Sequence, residues 1–186
     1  MKLNSTQFSF LLALLFVGTS LLAQVAPPID IANQYVRSNL DKWELTTSDI
    51  QDMAISSSYT DQKTGISRVY FNQQYNGIPV YNAILNLNIN KNGQVFFTGN
   101  RFVGRLSEKV NTTIPIISAS QALEKLAAHL GLPTEDIQLV GQSAANVFVF
   151  EKGNMATEDI KVKLSYQVVD ESVRLAWNVT LFPVNS

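Results

Sequence analysis

Few side chains in this sequence could do catalytic chemistry. The chain has one histidine, His129, and no cysteine, which excludes a thiol nucleophile, a disulfide and a cysteine-ligated zinc site. Adjacent carboxylates occur at Glu135-Asp136, Glu158-Asp159 and Asp170-Glu171. All three pairs fall in predicted turns, where neighbouring side chains point apart more often than they converge on one proton. We therefore interpret these acids as solvated turn residues.

The remaining polar clusters predict no catalytic residue and no metal site. His129 falls in the last turn of a predicted helix, where a positive charge is favourable, and no nucleophile or carboxylate is predicted beside it. The turn Asn90–Gly93 offers amide oxygens, but Lys91 among them argues against calcium. The sequence also lacks a glycine-rich phosphate loop.

The composition indicates packed globular structure. The chain has 186 residues, 46% of them hydrophobic, and a formal net charge of −1. That length suits one mid-sized domain or two small ones. The near-neutral charge gives no electrostatic reason to expect nucleic acid or a strongly anionic membrane as a partner.

The first 23 residues read as a signal peptide. Lys2 precedes an uncharged apolar run from Phe8 to Leu22, and Ala23 is a small residue at the expected cleavage point, which leaves Gln24 as the new N-terminus. An uncleaved membrane anchor is the alternative, although the run is short of the roughly 20 residues that span a bilayer. We expect a secreted, extracellular protein with no membrane attachment after cleavage.

Hydrophobic spacing predicts an α+β fold of two small units, each a helix packed on an antiparallel β-meander. The first unit, residues 24–104, has a helix from about Ile29 to Asn39 and then four strands with alternating apolar residues. Residues 105–117 read as a linker. The second unit, residues 118–186, starts with a helix capped by Ser118 and Gln121 and ended by Gly131, followed by further alternating strands.

The stretch from Arg68 to Ala83 predicts a hairpin within the first unit. Two strand-like runs meet at Asn76-Gly77, a pair that tolerates positive φ, and Pro79 then places a strand start, a bulge or a sheet edge. Along the following strand, alternation predicts two faces. We expect one side to carry Tyr81, Ala83, Leu85, Leu87 and Ile89, and the other to carry Asn82, Asn86 and Asn88.

The same stretch resembles the signature of the fungalysin/thermolysin propeptide (FTP) domain of secreted zinc metalloprotease precursors. The shared pattern is Val-Tyr-x-x-Gln-x-x-x-Gly-Ile-x-Val, formed here by Val69, Tyr70, Gln73, Gly77, Ile78 and Val80. One departure is Arg68, which stands where the family often has histidine. The second helix, with its Ile-Ser-Ala start and Leu-Gly-Leu end, is similar to the helix of PepSY-like domains, which accompany FTP domains in many such precursors.

The resemblance implies an N-terminal prosegment that inhibits a fungalysin-like zinc metalloendopeptidase and assists its folding. The implied partner is the metalloprotease catalytic domain, in cis or in trans, and zinc would belong to that domain. One histidine cannot supply the His-Glu-x-x-His motif of such an enzyme, so this chain lacks the catalytic part. We expect the first meander to dock the protease, with its geometry set by the partner-binding residues Tyr70, Gln73, Gly77, Ile78 and Val80.

Two questions stay open at the level of sequence. The aromatic residues of the first meander could form core and cross-strand packing or a partly exposed docking surface; they are Tyr70, Tyr75, Tyr81, Phe96 and Phe97. The chain could also be a stand-alone exported protease inhibitor or protein-binding module, or a wall-associated module without a protease partner. An enzyme acting alone is the least expected reading.

Overall fold

A computed structural model describes residues 25–134 and 137–184, and in that range the protein has an α+β fold. The predicted signal peptide, its cleavage site at Ala23 and Gln24, and the pair Glu135-Asp136 lie outside the described residues. The helices are α1 (Pro28–Ser38), α2 (Leu106–Lys109) and α3 (Ala119–Leu130), with 3-10 turns at Asp41–Trp43 and Thr47–Ile50. The strands are β1 (Ala54–Thr60), β2 (Ser67–Tyr75), β3 (Ile78–Ile89), β4 (Val95–Asn100), β5 (Leu139–Ala144), β6 (Val147–Phe150), β7 (Ile160–Val169) and β8 (Ser172–Thr180).

The strands join into one eight-stranded sheet. Its order is β1-β2-β3-β7-β6-β5, with β4 also paired to β3 and β8 also paired to β7. The pairs are antiparallel except for β3 and β7, which run parallel and meet at Val80 and Tyr166. The sheet therefore consists of two antiparallel meanders that are joined at one short parallel contact.

The first meander carries its helix on one face, as the hydrophobic spacing predicted. Pro28 opens α1, where its missing N–H costs no helical hydrogen bond. Ala32 and Val36 on this helix are fully buried against Val69 and Leu87 of the sheet. Burying these apolar side chains is the main favourable term that holds the helix to the strands.

The second meander carries α3 in the same way. Ser118 and Gln121 form the predicted capping box, and Gly131 ends the helix in the left-handed conformation at φ 67°. Leu123 of α3 is buried with Ile160 and Val162 in a second hydrophobic cluster.

The two hydrophobic clusters do not divide at the predicted linker. Leu164, Tyr166 and Val173 come from the second meander but are buried in the cluster formed by the first. Residues 105–117 include the short helix α2, whose Leu106 is buried in that same cluster. The division into units at 24–104 and 118–186 stays a prediction.

The side-chain alternation predicted for β3 is right from Ala83 onward and wrong for Tyr81. Pro79 pairs with Gln74 of β2, but the next ladder pair is Ile84 with Asn72, so β3 carries extra residues in between. This bulge moves the alternation by one position. Val80 is therefore buried, whereas Tyr81 is 51% exposed.

Asn82 lies in this bulge with a φ of 58°, a conformation that costs most L-residues roughly 1–2 kcal/mol. We expect Asn82→Val to lower the free energy of unfolding by about 1–2 kcal/mol, because a β-branched side chain fits this conformation poorly. Asn82→Gly should be within about 0.5 kcal/mol of wild type. Urea denaturation measures both. Asn88→Val, at a position of the same strand where φ is not positive, is the control. An Asn82→Val variant as stable as wild type would contradict this explanation.

Candidate partner-docking site

The structure places the five predicted partner-binding residues in different environments. Ile78 and Val80 are buried in the first hydrophobic cluster, and Gln73 is 0% exposed. Gly77 lies in an exposed turn, and Tyr70 is half-buried on the side of β2 opposite α1. These positions suit residues that set the geometry of the meander, and the docking role assigned to them stays a prediction.

Gln73 cross-links three segments that are distant in the sequence. Its Nε2 donates hydrogen bonds to the carbonyl oxygens of Asp49 at 3.1 Å and Val103 at 2.9 Å. Its Oε1 accepts a hydrogen bond from the backbone N–H of Val103 at 2.7 Å. The side-chain amide thus satisfies three backbone groups that would otherwise be buried without partners.

Asp49 is a second buried side chain that cross-links distant segments, and we call Gln73 and Asp49 the buried brackets. Its side chain accepts hydrogen bonds from the backbone N–H groups of Thr46 and Leu106, both at 2.7 Å, and of Arg105 at 2.9 Å. The Thr46 hydroxyl donates a fourth bond at 2.8 Å. Burial acts to raise the pKa of this carboxyl, but the hydrogen bonds from Thr46, Leu106 and Arg105 outweigh it, and the pKa lies below its ordinary value.

The hairpin turn after β2 ties the two meanders together. Asn76 and Gly77 have φ values of 50° and 72°, as a two-residue hairpin turn requires. Asp52 accepts a hydrogen bond from the Asn76 N–H at 2.9 Å. The carbonyl oxygen of Gly77 accepts one from the Asn146 side-chain amide at 3.0 Å, so the predicted turn also anchors the second meander.

The sheet has one face that the helices leave uncovered, which we call the open face. Because α1 and α3 pack on the opposite side, this face presents its side chains to solvent. Tyr59 is 49% exposed, Ile84 37% and Phe97 51%. The residues assigned to the open face by strand register and contacts are Tyr59, Arg68, Tyr70, Asn72, Ile84, Asn86, Asn88, Phe97, Arg101, Lys161, Lys163, Arg174 and Asn178.

One end of the open face is aromatic. The rings of Tyr59 and Tyr70 stack with centroids 6.4 Å apart and planes inclined by 14°. The guanidinium of Arg68 lies over Tyr59, 5.7 Å from the ring centroid. A hydrogen bond with the Tyr59 hydroxyl, together with burial, raises the pKa of Tyr70. Arg68 is therefore part of this aromatic contact.

A groove runs along the open face where the two meanders meet. It has a volume of about 450 Å³, and its walls include Asn72, Tyr81, Lys161 and Asn178. Ile84 lines this groove and also a neighbouring depression of about 350 Å³. The open face is thus continuous from β4 to β8.

The aromatic residues predicted as one cluster are divided between the interior and the surface. Tyr75 packs edge-on against Tyr166, with centroids 6.1 Å apart. Tyr81, Phe96 and Phe97 are each more than half exposed. Core packing and surface exposure, the two interpretations left open by the sequence, therefore apply to different members of the set.

The described residues contain no group of three or more His, Cys, Asp or Glu side chains placed to hold a metal ion. Over the same residues, no helix combines the length and the apolar character needed to cross a membrane.

Comparison with known proteins finds sequence similarity to a propeptide family and to extracellular metalloproteinases. Residues 51–102 match the family described as Fungalysin/Thermolysin Propeptide Motif. Extracellular metalloproteinase 10 of Coccidioides posadasii is 29% identical over 153 residues, which cover 81% of this chain and 23% of that protein. Extracellular metalloproteinase mep of Aspergillus niger is 31% identical over 119 residues, or 62% of this chain and 19% of that protein.

A third relative, extracellular metalloproteinase 4 of Arthroderma gypseum, is 26% identical over 168 residues, which cover 87% of this chain and 26% of that protein. The chain thus spans only about a fifth to a quarter of the length of these relatives. The similarity to PepSY-like domains over residues 118–186 stays a prediction.

The matched residues 51–102 coincide with strands β1 to β4, which form the first meander and the aromatic end of the open face. The sequence pattern from Val69 to Val80 lies inside this range. The chain therefore carries a fungalysin/thermolysin propeptide motif, in agreement with the resemblance of its sequence.

Proposed function

We propose that this chain is the prosegment of a secreted fungalysin-like zinc metalloendopeptidase precursor, and that it inhibits the protease domain and assists its folding. The observation that carries the proposal is the match of residues 51–102 to the propeptide motif. Similarity over most of the chain to extracellular metalloproteinases supports it.

The physical basis of both activities is binding to the folded protease. A domain that binds only the folded form stabilises that form, by an amount set by its concentration relative to the dissociation constant. Covalent linkage in a precursor raises the effective concentration to roughly millimolar for a short flexible linker. A modest intrinsic affinity is then sufficient until the linkage is cut.

The open face of the sheet is the surface best suited to docking. It carries exposed aromatic and amide side chains, which contribute contact area and hydrogen bonds, and an amide is desolvated at a lower cost than a full charge. Pairing of a partner strand with a sheet edge near Pro79 is a less suitable contact mode, because backbone groups close to this residue already have partners within the chain. The Gly77 carbonyl already bonds Asn146, and Val80 already pairs with Tyr166.

In this mechanism the buried brackets are positioning elements. Gln73 joins β2 to the segment that follows β4, and Asp49 joins the 3-10 turn before β1 to the same segment. The turn at Gly77 holds the second meander beside the first. Together they fix the curvature of the open face, so that its side chains are preorganised for the partner. Zinc and the hydrolytic machinery belong to the protease domain in this proposal.

Inhibition in trans tests the proposed function. The purified chain is titrated into the mature catalytic domains of the three relatives named above, with hydrolysis of a fluorogenic peptide as the readout. We expect saturable loss of activity for at least one metalloproteinase and none for a serine peptidase used as control. Full activity of all three metalloproteinases at roughly 0.1 mM chain, where even a weak complex would form, would contradict the proposal.

A further inference from the structure

Acidic and basic residues are distributed differently over this protein, and the net charge does not show this difference. In the described part of the chain, none of the eight strands contains an aspartate or a glutamate. The carboxylates lie in helices, turns and loops, with Asp30 in α1, Glu108 in α2 and Glu124 in α3. The strands, in contrast, contain four basic residues, namely Arg68, Lys161, Lys163 and Arg174.

These basic residues project from the open face. Lys161 and Lys163 alternate with the buried Val162 and line the groove between the meanders, with both side chains exposed. Arg174 alternates in the same way with the fully buried Val173. Arg68 lies over Tyr59 at the aromatic end.

Arg101 follows β4 directly and lines the second depression of the same face. The positive charges therefore extend from the aromatic end of the face, past Ile84, to the groove beside β7. A partner that covered the helical side would meet exposed acids such as Asp30 and Glu124, whereas one that covered the open face would meet only bases, amides, hydroxyls and apolar groups among the strand residues.

We propose that the open face docks an acidic surface of the partner protein, with Lys161 and Lys163 as its main electrostatic contacts. The inference rests on the proposed function, since it takes the partner to be the metalloprotease domain. Complementary potentials accelerate association and exclude wrongly oriented complexes, which directs the protease to this face and not to the helical one.

The spacing of the positive charges on the open face favours a protein over a polyanion as the binding partner. The five basic residues are interleaved with Tyr70, Ile84 and Asn86, so the face mixes charged, apolar and amide groups as protein interfaces do. Nucleic acid and anionic membranes attract denser basic patches and chains of positive net charge, and this chain has a formal net charge of −1.

Charge reversal with a matched control tests the inference. The double variant Lys161→Glu/Lys163→Glu changes two exposed residues of the open face, and Lys42→Glu/Lys109→Glu changes two exposed residues away from the strands. Both variants change the net charge equally. Each is titrated, as the whole chain, against the metalloproteinase domain that the wild-type chain inhibits, at low and at high salt, and circular dichroism verifies that each is folded.

We expect the open-face variant to raise the inhibition constant by about tenfold or more at low salt, and the control to change it by less than about twofold. High salt should weaken wild-type inhibition and narrow the difference between the two variants. Equal inhibition by both variants would overturn the acidic-partner inference and leave the proposed function intact. Absence of inhibition by the wild-type chain would overturn both.

Discussion

Asp49→Asn is expected to lower the free energy of unfolding by about 2–4 kcal/mol at neutral pH. The carboxylate accepts four hydrogen bonds, three of them from backbone N–H groups. An asparagine amide has one acceptor oxygen, and its NH₂ group would point at donors of the same polarity. Urea denaturation at pH 7 measures the loss. The matched control is Asp52→Asn, because Asp52 accepts one hydrogen bond, from exposed Asn76, and should cost less than about 1 kcal/mol.

We also expect the stability difference between wild type and Asp49→Asn to depend on pH. The folded-state pKa of Asp49 lies below its ordinary value of 3.8, so the carboxylate contributes stability that is fully present above that value. The contribution is lost as the pH falls through the folded-state pKa. The stability difference between wild type and Asp49→Asn should therefore be constant from pH 7 to pH 5 and shrink below pH 4. A difference that does not change with pH would contradict this assignment of the charge.

Gln73→Glu is the second substitution with a large expected effect. At pH 7 the new carboxylate would face the carbonyl oxygens of Asp49 and Val103, to which the glutamine donates. We expect the free energy of unfolding to fall by about 3 kcal/mol or more. It should recover in part as the pH is lowered, because a protonated glutamic acid can again donate a hydrogen bond. The sign follows from a folded-state pKa raised above that of the unfolded chain, which makes the neutral form the stable one.

Two further variants separate charge from packing at this position. Gln73→Leu keeps the volume but removes every hydrogen bond, so it should cost about 2–4 kcal/mol with no dependence on pH. Gln74→Glu places the same charge on the half-buried neighbouring residue of the strand and should cost less than about 1 kcal/mol. Equal losses for Gln73→Glu and Gln74→Glu would show that the buried bracket is not the stabilising feature.

The parts of the fold that the sequence predicts are those with short-range causes. Proline and aspartate at the start of α1, the capping box of α3 and the Asn76-Gly77 turn all act within a few residues. The alternation along β2 likewise predicts its buried face, because one period of two fixes every side chain in a regular strand.

The features that the sequence does not predict depend on distant partners. The Tyr81 assignment fails because β3 leaves β2 to reach Tyr166, more than 80 residues along the chain. Thr46 and Asp49 have the spacing of a capping box, which can be recognised in a sequence. The hydrogen bonds that Asp49 accepts from residues 105 and 106 cannot be recognised there. The predicted docking residue Gln73 is a bracket for the same reason, since its partners are 24 and 30 residues away.

The charge of the open face is another feature that the sequence does not predict, because it depends on residues that are distant in the sequence. A net charge of −1 gives no sign of a basic surface, because it sums 14 Lys and Arg against 15 Asp and Glu over the whole chain and does not show where they lie. The pairing of β3 with β7 brings the lysines of the second meander beside the propeptide motif of the first.

Zero-length carbodiimide cross-linking tests whether the open face docks a metalloprotease domain, as we propose, because this reagent joins amines only to carboxylates in contact. The chain is cross-linked to the metalloproteinase domain, and mass spectrometry identifies the joined residues. We expect a one-to-one product in which Lys161 or Lys163 is linked to an aspartate or glutamate of the protease. Links only from Lys42, Lys109 or Lys125, or no cross-linked product under conditions of full inhibition, would contradict it.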